Sequence, residues 1–120
     1  MPSLVLKTNV KVDDVKSFSL EFSKTGAQIL GKPENYISVA YDYNEFLTFQ
    51  GTFDPAFLLV VSTLGNLSPE KNEKYSKEFF DFFKEKLGIS GDRGYITFYD
   101  PGNSNFGHQG TTFGTIFGTP

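Results

Sequence analysis

The chain reads as an α+β domain built from a repeated β-α-β unit, a four-stranded sheet with two helices on one face. Three observations predict this. Two amphipathic helical stretches each end in glycine, at Gly31 and Gly88. Each is followed by a similar strand, NYISVAYD at 35–42 and GYITFYD at 94–100. Each is preceded by an apolar run, SLVLKT at 3–8 and AFLLVVS at 56–62. Strand, helix, strand, twice over, is the split β-α-β pattern.

Taken in order, Leu4, Val5 and Leu6 make the first strand, from Ser3 to about Thr8. Asp13 or Asp14 then supplies a helix cap near the positive end of the dipole. Val15, Phe18, Phe22 and Ile29 fall on one face of a 3.6-residue period. Gly31 suits the C-terminal cap, and Pro33 forbids continuation. The stretch 35–43 alternates as a second strand, and EFLTFQG at 45–51 reads as a shorter strand or extended segment. The run at 56–65 is continuously apolar, the pattern of a strand buried on both faces. Ser68, Pro69 and Glu70 open the clearest helix, whose stripe is Tyr75, Phe79, Phe82, Phe83 and Leu87. Arg93, the sole arginine, sits in a GDRG turn and reads as structural, paired with Asp92 or a helix end.

Such a sheet has one bare face and two unpaired edges, which small proteins must cover. The tail NFGHQGTTFGTIFGTP carries no Asp, Glu, Lys or Arg and suits lying along a neighbouring chain. Fourteen Phe and six Tyr are many for one interior, so some rings are expected to line a pocket or a subunit interface. Both features point to a closed oligomer.

The 120 residues form one domain, large enough for a core without staples. The absence of cysteine excludes disulfides, thiolate nucleophiles and cysteine metal sites, and a lone histidine, His108, removes histidine-rich metal clusters. No cofactor is called for. A net charge of −3 without a basic run argues against nucleic acid as a partner. No stretch reaches the length of a membrane span, and the N-terminus lacks the pattern of a signal peptide, so a cytoplasmic location is expected.

Pro2 directly follows Met1. One reading is punctuation, because proline is tolerated at a strand's first residue. The other is chemical: trimming Met1 before a small residue leaves a free secondary amine, a base and a nucleophile.

Several motifs carry a resemblance. The start MPSLVLKTNV, the segment GKPENYISV, STLG before a helix, YSK within it, DRGYITFYD and the late NFGHQGTTF recur in order from Met1 to about Phe113. Together they resemble the macrophage migration inhibitory factor family of the tautomerase superfamily. The resemblance implies a homotrimer with sheets around a central barrel and sites between subunits. It implies a keto–enol tautomerase acting on phenylpyruvate-like and dopachrome-like α-keto acids, with a trimmed Pro2 as general base. Lys32 is then the anchor of the substrate carboxylate; the plain alternative is a lysine favoured by a helix C-terminus. Leu64 would offer a backbone amide and an apolar side chain, and Tyr95 a hydroxyl donor. Tyr36 and Phe113 would be aromatic walls, and Ser3 a neighbour of the base.

The chain departs from the family's pattern at three of these places. Thr97 stands where an asparagine donor is usual, Phe106 where a smaller apolar residue is usual, and His108 in place of a tryptophan. The family's two-cysteine motif is absent, with Ala56 and Leu59 at those positions, which removes that redox activity. Residues 114–120 form a C-terminal extension that would cap a neighbour's pocket or extend the intersubunit sheet. A second reading is a cytokine-like signalling or binding protein, released by an unconventional route and acting on a cell-surface receptor, with the pocket as a recognition surface.

Overall fold

The computed structural model describes residues 1–119. Its elements are β1 Ser3–Thr8, α1 Val15–Leu30, β2 Ser38–Tyr43, β3 Phe57–Ser62, α2 Pro69–Leu87 and β4 Gly94–Tyr99. A short hairpin follows, β5 Gly107–His108 and β6 Thr111–Thr112, and then a short helix, α3 Phe113–Phe117. Two 3-10 turns, Glu34–Tyr36 and Asn103–Asn105, complete the set.

Local chemistry sets the helix ends. The Asp14 side chain accepts from the Ser17 amide and caps α1, and the Ser68 hydroxyl accepts from the Lys71 amide ahead of Pro69. Gly31 and Gly88 end the two helices in the left-handed region, where glycine carries no Cβ penalty.

The sheet runs β2-β1-β3-β4, with β1 parallel to β2, β3 parallel to β4, and the central pair antiparallel. Both helices lie on one face. Phe18 and Phe22 of α1 meet Phe79, Phe82 and Phe83 of α2 over Leu4, Leu6, Leu59 and Val61. The rings of Phe22 and Phe82 stack at 6.1 Å, while Phe22 and Phe83 meet edge-on at 5.7 Å. A Cβ on Gly26 would lie 3.2 Å from a Leu4 methyl, so α1 rides close on the sheet there.

Four sequence expectations are corrected. Strand β3 is buried on one face only: Phe57, Leu59 and Val61 are inside, but Leu58 and Val60 face outward. Among the described residues that side keeps Leu58, Val60, Tyr95 and Tyr99 exposed, so the apolar run serves two faces in different surroundings. Val15 is exposed, being too near the start of α1 to reach the core. Residues 45–51 form turns rather than a strand. Asn44 accepts from Phe46 with its side chain and from Leu47 with its carbonyl, and Gln50 and Gly51 turn the chain at positive φ, leaving a single bridge between Phe49 and Thr52. Finally, Arg93 pairs with neither Asp92 nor a helix end. Its guanidinium donates to the carbonyls of Phe49, Asp54 and Pro55 and lies over the Phe49 ring, pinning the 44–56 loop. Backbone carbonyls take one N–H from each of its three nitrogens.

Candidate active site

The site is built where three segments meet at the head of β1. Pro2 is buried, and its carbonyl accepts from the Ser38 amide at 3.1 Å, which fixes the chain entry against β2. Lys32 reaches the same place because of how α1 ends. Gly31 turns left-handed and the Lys32 amide donates back to the Ala27 carbonyl at 3.0 Å, closing a Schellman turn. The turn throws residues 32–36 across the head of the sheet instead of along the helix axis. The third segment is the tail: β5, β6 and α3 fold back and bring Phe106, His108 and Phe113 alongside.

Two connected depressions result. The larger, about 520 Å³, is lined by Met1, Lys32, Pro33, Tyr36, His108, Gln109, Phe113, Ile116 and Phe117. The smaller, about 360 Å³, lies over Pro2 and Ser3 and is walled by Tyr36, Ile37 and Phe106 among others. Met1, Tyr36 and His108 line both, so they form the partition between the two. A volume of this size, mostly apolar with a few polar groups, is in the range of small-molecule sites.

The electrostatics are unusual at one group. Burial, and then the nearby Lys32 ammonium, hold the chain's terminal amine on Met1 below its ordinary 8.0. Both causes disfavour the charged form. The amine at this spot is therefore biased towards being a free base, beside a cation that can hold an anion. With Met1 in place, the nitrogen of Pro2 is an amide and is not basic.

Of the residues expected from the sequence, Pro2, Ser3, Lys32, Tyr36, Phe106 and Phe113 converge here, with His108 beside them. The His108 ring lies flat against Phe113 at 5.7 Å. Tyr95 and Thr97 do not join them within one chain. They sit on β4, on the outward face, with Tyr95 paired to Leu58 while Ser3 is paired to Ser62. Two strand spacings and four residues along separate Tyr95 from Ser3, about 17 Å. Tyr95 instead packs against Phe49 at 4.8 Å and is two-thirds exposed. Leu64 follows β3, half-buried, and lines neither depression.

Sequence reasoning missed Gln109, Ile116 and Phe117. The signal was present for the last two: Phe113, Ile116 and Phe117 have i, i+3, i+4 spacing behind a capping Thr112. Among the described residues no group of three or more His, Cys, Asp or Glu side chains is placed to hold a metal ion. No helix among them is long and apolar enough to cross a membrane.

A paired β-α-β sheet with an amine and a lysine at the head of its first strand is the arrangement of the tautomerase-superfamily fold. The comparisons narrow this further. The family model for macrophage migration inhibitory factor matches residues 1–114. The rat macrophage migration inhibitory factor is 37% identical over 114 residues, covering 94% of this chain and 99% of that protein. A homologue from Trichuris trichiura is 38% identical over 114 residues, covering 94% and 100%. Among solved structures, the factor from Trichinella spiralis superposes with a TM-score of 0.85 at 34% identity, covering 92% of this chain and 99% of that one. The homologue from Prochlorococcus marinus gives 0.85 at 31%, covering 93% and 99%. The chain belongs to the macrophage migration inhibitory factor family.

Proposed function

We propose that the protein is a keto–enol tautomerase of arylpyruvates, with phenylpyruvate as the type substrate and the nitrogen of Pro2, freed by removal of Met1, as the general base. The observation that carries this reading is the coincidence of a terminal amine held towards its neutral form with Lys32 in one apolar depression. Removal of Met1 would also open the partition between the two depressions and leave Pro2 at their junction.

The chemistry then follows. Lys32 takes the substrate carboxylate as a charge-assisted pair. Tyr36 and Phe113 flank the aryl group. The neutral Pro2 amine accepts the proton from the carbon α to the keto group, and that C–H electron pair becomes the C=C bond. The carbonyl oxygen gains negative charge as the C=O π pair moves onto it, and then takes a proton from the Pro2 ammonium, directly or through water, which gives the enol and restores the neutral base. A hydrogen-bond donor at that oxygen lowers the barrier. Tyr95 is the assigned donor, with Thr97 beside it, both supplied by an adjacent copy because within one chain they stand about 17 Å and about 12 Å from Ser3, two strands away. The assembly in this reading is a homotrimer; the outward Leu58, Val60, Tyr95 and Tyr99 support it as apolar surface needing a partner. The protein is taken to work in the cytoplasm.

The test uses protein whose mass shows loss of Met1. Phenylpyruvate tautomerisation should be catalysed, and Pro2→Gly should lose it by two orders of magnitude or more, in the range of general base catalysis, about 10²–10⁴. Trimmed wild-type protein without activity would sink the reading and leave the cytokine-like binding role as the alternative.

A further inference from the structure

The family match ends at residue 114, and the relatives are covered almost to their full length by it. Residues 115–119 therefore lie outside the shared frame, yet they are built into the site. Helix α3 is fastened at both ends. Thr112 Oγ1 accepts from the Thr115 amide at 3.2 Å, and Asn103 Nδ2 donates to the Gly118 carbonyl at 2.9 Å. Between these, Gly114 sits flush on the Asn103–Asn105 turn, where a Cβ would come within 2.9 Å of the Ser104 Cα. The helix is thus clamped against its own chain and aimed at its own depression.

What it presents there is apolar and open. Phe117 is 70% exposed and Ile116 46% exposed, and both line the depression that holds Lys32. The Phe117 ring lies parallel to Phe113 at 5.4 Å, 5° between planes, and Phe113 lies nearly parallel to His108. Three flat rings in series make one wall. A large aromatic side chain left in water costs free energy that a flat apolar ligand group would recover.

We infer that Ile116 and Phe117 are specificity-determining residues, an added wall that selects α-keto acids bearing a flat aromatic group over those with a short alkyl chain. This rests on the tautomerase reading of the same site and adds to it the residues that choose the substrate. Lys32 recognises what all α-keto acids share, the carboxylate. The stacked wall recognises what distinguishes them. Because a ring contact of this kind is made equally by bound substrate and transition state, its loss falls on KM more than on kcat.

The experiment compares Met1-trimmed wild type, Phe117→Ala and Ile116→Ala. Proton exchange at the carbon α to the keto group is followed in D2O by NMR for phenylpyruvate and for 2-oxobutanoate. Binding of phenylglyoxylate, which has a carboxylate and a ring but no such proton, is measured alongside by calorimetry. In Phe117→Ala the ratio of kcat/KM for phenylpyruvate over 2-oxobutanoate should fall about tenfold, with phenylglyoxylate binding weakened by a similar factor. Ile116→Ala should shift the ratio the same way by less. Both residues are exposed, so the variants should keep the wild-type circular dichroism. A ratio unchanged in active Phe117→Ala overturns the inference and leaves the tautomerase reading standing. Wild type that binds phenylglyoxylate but exchanges neither acid sinks the tautomerase reading, and Phe117→Ala then supports or overturns the wall by its binding alone. Wild type that neither exchanges nor binds overturns both.

Discussion

Gly94→Ala should destabilise the protein sharply, although it adds one methyl group to a residue with ordinary backbone geometry. Gly94 opens β4 directly beneath the Phe57 ring. A Cβ there would lie 2.2 Å from Phe57 Cε1, 2.5 Å from Cζ and 2.7 Å from Cδ1. Carbon atoms in contact need about 3.5–4.0 Å, so the ring must move by more than an ångström. It has nowhere to go: Phe57 is fully buried, with Phe83 at 4.6 Å and Phe80 at 5.1 Å. Overpacking of this kind costs about 1–3 kcal/mol, offset by about 0.4–1 kcal/mol from the lost flexibility of glycine in the unfolded chain. A net loss of about 1–2 kcal/mol corresponds to a fall in Tm of about 3–12 °C for a chain of this size.

The assay is thermal and urea unfolding at fixed protein concentration, for Gly94→Ala, Phe57→Leu and the pair. If the methyl–ring clash is the cause, the double variant is more stable than the sum of the single effects predicts, by about 1 kcal/mol or more. Gly94→Ala within about 0.5 kcal/mol of wild type, or strict additivity in the pair, would refute the steric account. The position matters for function because Gly94 sets β4, and β4 carries Tyr95 and Thr97.

Lys32→Gln should lower kcat/KM for phenylpyruvate about tenfold to a hundredfold, mainly through KM, since a charged hydrogen bond to the carboxylate is lost. The same variant should move the midpoint of the pH–rate curve upward, because a cation at this spot disfavours a second positive charge, as Lys32 does, after burial, for the amine of Met1; an unmoved midpoint would remove Lys32 from the electrostatics of the Pro2 base. In chain that retains Met1, the folded state binds fewer protons at the amine than the unfolded state does. Stability should therefore rise with pH from the lowered folded value up to the ordinary 8.0, with the full penalty present below it, and N-terminal acetylation should flatten that slope in urea midpoints. Thr8→Val should cost about 1–3 kcal/mol in the same unfolding assay, because the buried Thr8 hydroxyl donates to Ala56 at 2.7 Å and accepts from Val10 at 3.1 Å, and both partners would be orphaned.

The helices and β1 were legible in the sequence because their ends carry chemistry. Asp14, Ser68, Gly31 and Gly88 each act through their own side chain or its absence, so no distant contact is needed to read them. The run 57–62 was legible as a strand but not as to which side is covered. Val and Leu report burial without naming the partner, and the outward Leu58 and Val60 await surface that one chain does not supply. The helix in the tail was not legible for a related reason. Glycines and threonines dominate the composition there, while the three apolar positions of α3 span little more than one turn. Such a helix is too short to be stable alone and exists through its contacts with Asn103, Ser104 and Phe106.

The candidate site was legible in the same uneven way. Pro2, Lys32 and Tyr36 are drawn together by a Schellman turn, whose makings stand in the sequence, and by the pairing of β1 with β2, which sets the Ser38 amide on the Pro2 carbonyl. Tyr95 and Thr97 are not drawn there by any contact within the chain, so their assignment rests on the family resemblance and on an adjacent copy. Met1 joins these two halves of the problem. While it remains, it divides the depressions at Tyr36 and His108 and makes Pro2 an amide. Its removal would do two things at once: turn that amide into a buried secondary amine next to Lys32, and merge the spaces over Pro2 and along Phe117. A substrate with its carboxylate at Lys32 and its ring on the α3 wall would then lie beside the freed Pro2 amine, in the same surroundings that hold the amine of Met1 towards its neutral form. Base and selectivity would therefore be switched on by the same cleavage, which is why protein retaining Met1 should be poor at both catalysis and discrimination.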